Sequence, residues 1–189
     1  MAARVTKKDK HFPLFIHDNP LRRLFSSSRK YCSYVKQDQM VADLGCGPGY
    51  FTLVLAEGVG PKGRVYAVDS DEKAIRAVER KAAKRGYHNI ETFVSSAANL
   101  HFIDDESIEF VLADGLLCAM APRDHEAAIK EIKRILKPNG NAFLKAARGS
   151  ISYVDKAEWE EILEGFNVER RNYESLLGYR WALVSKMHQ

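Results

Sequence analysis

The chain of 189 residues predicts an α/β fold, a doubly wound and mostly parallel sheet with helices on both faces. Three observations carry this expectation. From Val41 onward, short apolar runs alternate with segments of helical periodicity, the pattern of strands joined by crossover helices. The segment Met40-Val-Ala-Asp-Leu-Gly-Cys-Gly-Pro-Gly-Tyr-Phe-Thr52 reads as a strand, a glycine turn and the opening of a helix. The last two strand-like runs then follow each other directly, which predicts an antiparallel final strand.

Taken in order, the first strand closes at Asp43, and residues 50–57 open the first helix of the sheet domain. Residues 64–70 form a second strand of β-prone side chains ending in Asp69. A helix over 71–85 has an acidic first turn and a basic last turn, and Gly86 stops it. Residues 90–96 and 108–113 are the third and fourth strands. The helix over 123–136 sets Ile129, Ile132, Ile135 and Leu136 on one face. A fifth strand at 141–146 and a helix at 154–164 follow. Strands at 166–173 and 179–185, joined through Leu177-Gly178, bring the count to seven. Ahead of the sheet, residues 1 to about 12 lack periodicity. Pro20, with Asp18 or Asn19 as cap, begins a helical stretch carrying Leu21, Leu24 and Phe25 and running through about Tyr34.

The glycine turn distinguishes between nucleotides. A dinucleotide loop needs G-x-G-x-x-G or G-x-G-x-x-A, where the third small residue lets helix and strand pack closely. Counted from Gly45 and Gly47, that position is Tyr50, so the pyrophosphate geometry fails. The pattern present is D-x-G-x-G-x-G, from Asp43 through Gly45 and Gly47 to Gly49. A carboxylate and exposed backbone groups suit S-adenosylmethionine, which carries an ammonium and a sulfonium but no phosphate. Asp69, 26 positions after Asp43, can accept both hydroxyls of a ribose.

On these residues the chain resembles class I S-adenosylmethionine-dependent methyltransferases. Residues 41–52 look like their motif I and 65–70 like motif II, while Leu136-Lys-Pro-Asn-Gly140 resembles their L-K-P-G-G turn. The nearest subgroup is the methyltransferase domain 11 set, which includes ubiquinone/menaquinone C-methyltransferase-like proteins. The resemblance implies a Rossmann-like sheet of seven strands and S-adenosyl-L-methionine as cofactor, with S-adenosyl-L-homocysteine as product. Carried over residue by residue, it implies a cofactor site of Asp43, Gly45, Cys46, Gly47, Gly49, Asp69, Ser70, Ser96, Ala97 and Asp114. There are two departures. Asn139 stands for the first glycine of the turn, and asparagine also visits left-handed conformations. Ser95-Ser96-Ala97 stands where many relatives carry Gly-Asp-Ala, so Ser96 replaces the acid that meets the adenine amino group.

Composition bounds the remainder. A chain this long buries about 70% of its unfolded surface as one core. No apolar run approaches the ~20 residues of a membrane span. Three cysteines, Cys32, Cys46 and Cys118, lack metal-ligand spacing and fit a reducing, cytoplasmic setting, so no metal is expected. Net charge is +4, yet residues 1–36 hold nine Lys or Arg against two acids, leaving twenty against twenty-three beyond. The chain thus divides into a basic arm, 1–36, and a sheet domain, 37–189. The arm is expected to fold over the carboxyl edge of the sheet as a lid.

No residue stands out as catalytic. The end of the fourth strand, Asp114-Gly-Leu-Leu-Cys118, lacks the N/D-P-P-Y/F motif of amine methylation, and no Pro-Cys pair precedes a nucleophile. His17, His101 and His125 are candidate bases, each with a plain surface or helix-start reading beside it. Tyr153 follows the fifth strand and can face the crevice or the core. Methyl transfer asks mainly for alignment, because the sulfonium is already reactive. The expected activity is transfer to a small-molecule acceptor. Open beside it stand an RNA or protein methyltransferase using the basic arm, a NAD(P) oxidoreductase, an arsenite methyltransferase and a cofactor-binding protein without turnover. The oligomeric state is not legible.

Overall fold

The computed structural model describes residues 31–147, 154–172 and 178–187. The element order is β1 (Met40–Leu44), α1 (Tyr50–Val59), β2 (Arg64–Asp69), α2 (Glu72–Arg85), β3 (Ile90–Val94), β4 (Ile108–Asp114), α3 (Leu116–Ala119), α4 (His125–Ile135), β5 (Leu136–Ala147), α5 (Lys156–Glu164), β6 (Asn167–Arg171) and β7 (Tyr179–Ser185). The seven strands form one sheet in the order β3-β2-β1-β4-β5-β7-β6. Strands β1 to β5 pair in parallel, while β7 pairs antiparallel with both β5 and β6. The predicted mostly parallel sheet with a reversed final strand is therefore present.

Alternation along each strand divides the core in two. Ala42 and Leu44 of β1 look toward α3, α4, α5 and the segment 97–103, while Val41 looks toward α1. A third cluster of Cys46, Ala67, Ile75 and Val78 seats α2. The caps follow the sequence signals. Asp71 accepts the Lys73 N–H at 2.8 Å, and Gly86 closes α2 at φ 69°. Asp155 accepts the Glu158 N–H at 2.9 Å, so α5 begins at Lys156 rather than at residue 154.

Four details differ from expectation. The helix expected over 123–136 divides into a 3₁₀ turn, Pro122–Asp124, and α4. Strand β5 starts at Leu136, which pairs with Ile108, and the register then jumps so that Phe110 pairs with Asn141. Residues 137–140 are thus a bulged excursion within a strand rather than a separate turn. Asn139 is not left-handed; the described non-glycine residues with positive φ are Asp38 and Glu106. The short helix α3 was not anticipated. The helical stretch begun at Pro20, the segment 1–12 and Tyr153 lie outside the described residues.

Gly63 is forced by backbone proximity. A Cβ on Gly63, just before β2, would stand 2.7 Å from the Val59 carbonyl oxygen and 2.8 Å from that of Gln39. Neither carbonyl can move without disturbing α1 or β1. Gly63→Ala is expected to lower stability by about 1–3 kcal/mol, read as a shift in the urea midpoint at unchanged slope. An unchanged midpoint would show that this corner yields freely.

Candidate functional site

The carboxyl ends of β1, β2, β3 and β4 lie side by side, and β1 and β4 flank the point where strand order reverses. Open α/β sheets bind ligands at that crevice. The loop from β1 to α1 crosses it with Gly45, Gly47 and Gly49 at φ 71°, 52° and 84°. All three lie in the left-handed region that side chains avoid. A Cβ on Gly49 would also stand 2.9 Å from Val78 Cγ2. The Gly45 and Cys46 N–H groups donate to the Val68 carbonyl at 2.8 and 3.1 Å, binding the loop to the end of β2. Lys81 of α2 donates from Nζ to the Pro48 carbonyl at 2.9 Å and steadies the loop from behind.

Asp69 is the centre of this arrangement. Its Oδ2 accepts the Gly47 N–H at 2.8 Å and its Oδ1 accepts the Asp71 N–H at 2.9 Å. A carboxylate offers about four lone-pair sites, so two backbone donors orient it while leaving capacity for a diol. Ser70 is exposed beside it. Asp43 is only 3% exposed and accepts the Thr52 hydroxyl at 2.7 Å, a bond that ties β1 to α1. Cys46 is buried within the loop, and burial, followed by Asp43 and Asp69, raises its thiol well above the usual range. The neutral thiol suits the fold, so this group's contribution to stability falls as pH rises above the ordinary thiol range. Native Cys46 is expected to resist a disulfide reagent at pH 8 and to react once denaturant is added; fast native labelling of Cys46 would contradict that burial.

At the end of β3, the Ser96 hydroxyl accepts the Ala98 N–H at 3.2 Å, and the Ser95 hydroxyl donates to the Asn99 carbonyl at 2.9 Å. Ala97 is buried. The segment that follows is stapled by Arg134, which donates to the Leu100 and Ile103 carbonyls, while Glu131 accepts the Leu100 N–H. The Arg134 hydrogen bond holds the Glu131 carboxyl below its usual range.

Asp114, at the end of β4, meets two groups that sequence reasoning missed. The Tyr31 hydroxyl donates to its Oδ2 at 2.7 Å, and Lys145 Nζ lies 3.1 Å from each carboxylate oxygen. A lysine among the apolar residues of β5 was a visible signal for Lys145; Tyr31, 83 positions away, offered none. Tyr31 packs edge-on against Phe51 and Phe143, at 4.7 and 5.1 Å between ring centres. The described end of the basic arm is therefore part of the core, with Tyr31 and Val35 both buried.

The histidines sit elsewhere. His125 is buried at the start of α4, with Nδ1 2.6 Å from Glu158 Oε1, and so joins α4 to α5. His101 is exposed and lies beside Asn99. Cys118 donates its thiol to the Gly115 carbonyl at 3.0 Å. Among the described residues, no three His, Cys, Asp or Glu side chains converge as metal ligands, and no helix is long and apolar enough to cross a membrane.

Comparison with known proteins agrees with this geometry. The methyltransferase domain family matches residues 41–140. Demethylmenaquinone methyltransferase of Geobacillus stearothermophilus is 35% identical over 106 residues, which are 56% of this chain and 44% of that protein. The protein of the same name from Staphylococcus saprophyticus is 35% identical over 106 residues, covering 56% of this chain and 43% of its own. The match thus spans less than half the length of these relatives. Among solved structures, a SAM-dependent methyltransferase from Aquifex aeolicus aligns with TM-score 0.73 at 24% identity, over 92% of this chain and all (100%) of that one. An rRNA methylase from Streptococcus thermophilus aligns with TM-score 0.62 at 18% identity, over 86% and 95%. At such identities the structural likeness speaks to the fold alone. With its family match over 41–140 and its seven-stranded sheet, the chain belongs to the methyltransferase domain family, within the class I S-adenosylmethionine-dependent methyltransferase superfamily.

Proposed function

We propose that the chain is an S-adenosylmethionine-dependent methyltransferase that acts on a small-molecule acceptor. The observation that carries this reading is the left-handed glycine loop held against the Asp69 carboxylate. The residues fit the cofactor. Gly45, Gly47 and Gly49, all at positive φ, leave the loop backbone without side chains, and a Cβ on Gly45 would press on Leu116 Cδ1 at 3.1 Å. Asp69 would take the ribose hydroxyls, with Ser70 beside it. Ser96 and Ala97 would border the adenine. Gly45, Cys46, Gly47 and Gly49 would line the methionine end, with Asp43 beneath them and Asp114 at the far wall.

When bound, the cofactor supplies a methyl group on a positively charged sulfur. What remains for the protein is to bind, to align the acceptor and to exclude water. The lid expected of the basic arm, residues 1–36, lies outside the described residues as far as residue 30. Deleting residues 1–30 should spare S-adenosylmethionine binding and abolish methyl transfer; full-rate turnover by the truncated protein would rule the lid out.

Calorimetric titration with S-adenosylmethionine and with NAD tests the cofactor, and labelled methyl transfer into small-molecule, RNA and protein fractions tests the acceptor. Affinity for NAD without affinity for S-adenosylmethionine would overturn the proposal. The second reading is an RNA acceptor, favoured by the nine basic residues in 1–36. It predicts label in RNA and a steep loss of binding with added salt.

A further inference from the structure

The turn after β3 is fixed at both ends, yet its outer edge is neutral and open. The Ser95 N–H donates to the Asp69 carbonyl at 3.0 Å, so the turn abuts the strand end that carries the Asp69 carboxylate. Arg134 holds the Leu100 and Ile103 carbonyls on its far side. Within the turn, the Asn99 N–H donates to the Ser96 carbonyl at 2.9 Å, and the Ala98 N–H donates to the Ser96 hydroxyl at 3.2 Å. That bond occupies one lone pair of Ser96 Oγ; among the described residues nothing takes its proton or its second lone pair. Residues 95–99, Ser-Ser-Ala-Ala-Asn, carry no charge, and Asn99 Oδ1 already meets His101 Nδ1 at 3.0 Å. Ser96 and Asn99 are both exposed. A group lying against this edge thus meets one neutral hydroxyl backed by water.

We propose that Ser96 sets the cofactor specificity of this protein at position 6 of the purine, and that the site also takes S-nucleosyl ligands whose 6-amino group is absent or replaced by an ether. The proposal rests on the methyltransferase reading above, in which Asp69 takes the ribose and the turn borders the base. The amino group of adenine donates, an ether oxygen only accepts, and a hydroxyl answers either one by rotating its proton. At an exposed edge such a neutral contact contributes little, because water replaces it when it is lost. A carboxylate at the same position would act otherwise. It only accepts, so it would hold the amine by a charge-assisted bond and repel an ether oxygen. Aspartate also suits the turn, since its side chain accepts from the N–H two residues on, as Ser96 does from Ala98. The charge at this one position therefore decides how strictly the base is read.

The test is calorimetric titration of the full chain with S-adenosylhomocysteine and with two analogues that carry hydrogen or methoxy at position 6 of the purine. All three keep their ring nitrogens as acceptors, so they differ only in the group that faces Ser96. They are expected to bind within about fivefold of one another, the span of one exposed neutral hydrogen bond. In Ser96→Asp, S-adenosylhomocysteine should gain about tenfold over the hydrogen analogue, and the methoxy analogue should fall below both. A preference of about tenfold or more for S-adenosylhomocysteine in the unaltered protein overturns the proposal. So does a folded Ser96→Asp protein in which the three remain level, since the base would then lie away from Ser96. If Ser96→Asp does not fold, the ranking by the unaltered protein decides. Failure of S-adenosylhomocysteine itself to bind would sink the cofactor reading, whereas failure of the proposal alone leaves that ligand bound.

Discussion

Gly47→Val is expected to eliminate S-adenosylmethionine binding, with no heat detected in a titration that saturates the unaltered protein. Three effects combine. Gly47 holds φ 52°, a region costing an ordinary side chain about 1–2 kcal/mol and a β-branched one more. Its N–H also anchors Asp69, so any relaxation of the loop releases the carboxylate. The branched side chain then stands where backbone has to approach the ligand. Circular dichroism should show the fold retained, because the loop lies at the edge of the sheet. Binding within threefold of normal would make the loop a structural turn and nothing more.

Asp69→Ala comes second in expected effect. Ribose hydroxyls on a carboxylate form charge-assisted hydrogen bonds worth about 1.5–3 kcal/mol, so affinity should fall by about ten- to a hundredfold. The same change strips the acceptor from the Gly47 and Asp71 N–H groups and loosens both the loop and the start of α2. Asp69→Asn retains an oxygen and should recover part of the loss. Comparing the two separates loop support from ribose contact. A folded Asp69→Ala protein with normal affinity would remove Asp69 from the site.

The fold was legible because its signals are local. Alternating apolar runs, Gly86 as a stop and the D-x-G-x-G-x-G loop each act within a few residues, and the structure follows them closely. The bulge at residues 137–140 was hidden because it arises from pairing with Ile108 and Phe110, some thirty positions upstream. The site was legible in the same uneven way. Gly45, Gly47, Gly49 and Asp69 announce themselves by spacing alone. The bond from Tyr31 to Asp114 spans 83 positions, and nothing in either neighbourhood encodes the other. Asp43, expected at the ligand from its place beside the glycines, also accepts the hydroxyl of Thr52, nine positions on, a bond that no motif declared.

The strand order carries a consequence for how the chain comes together. Strand β7 is the last in sequence, yet it lies between β5 and β6 rather than at a border. Until residues 179–185 have left the ribosome, the apolar strand β5 presents an unsatisfied row of amides and carbonyls, an invitation to pair with another nascent chain. The glycine loop and its neighbours can assemble early, but the domain closes only when this strand slots in. Pulse-labelled hydrogen exchange during refolding should therefore find β5 amides protected no earlier than those of β7.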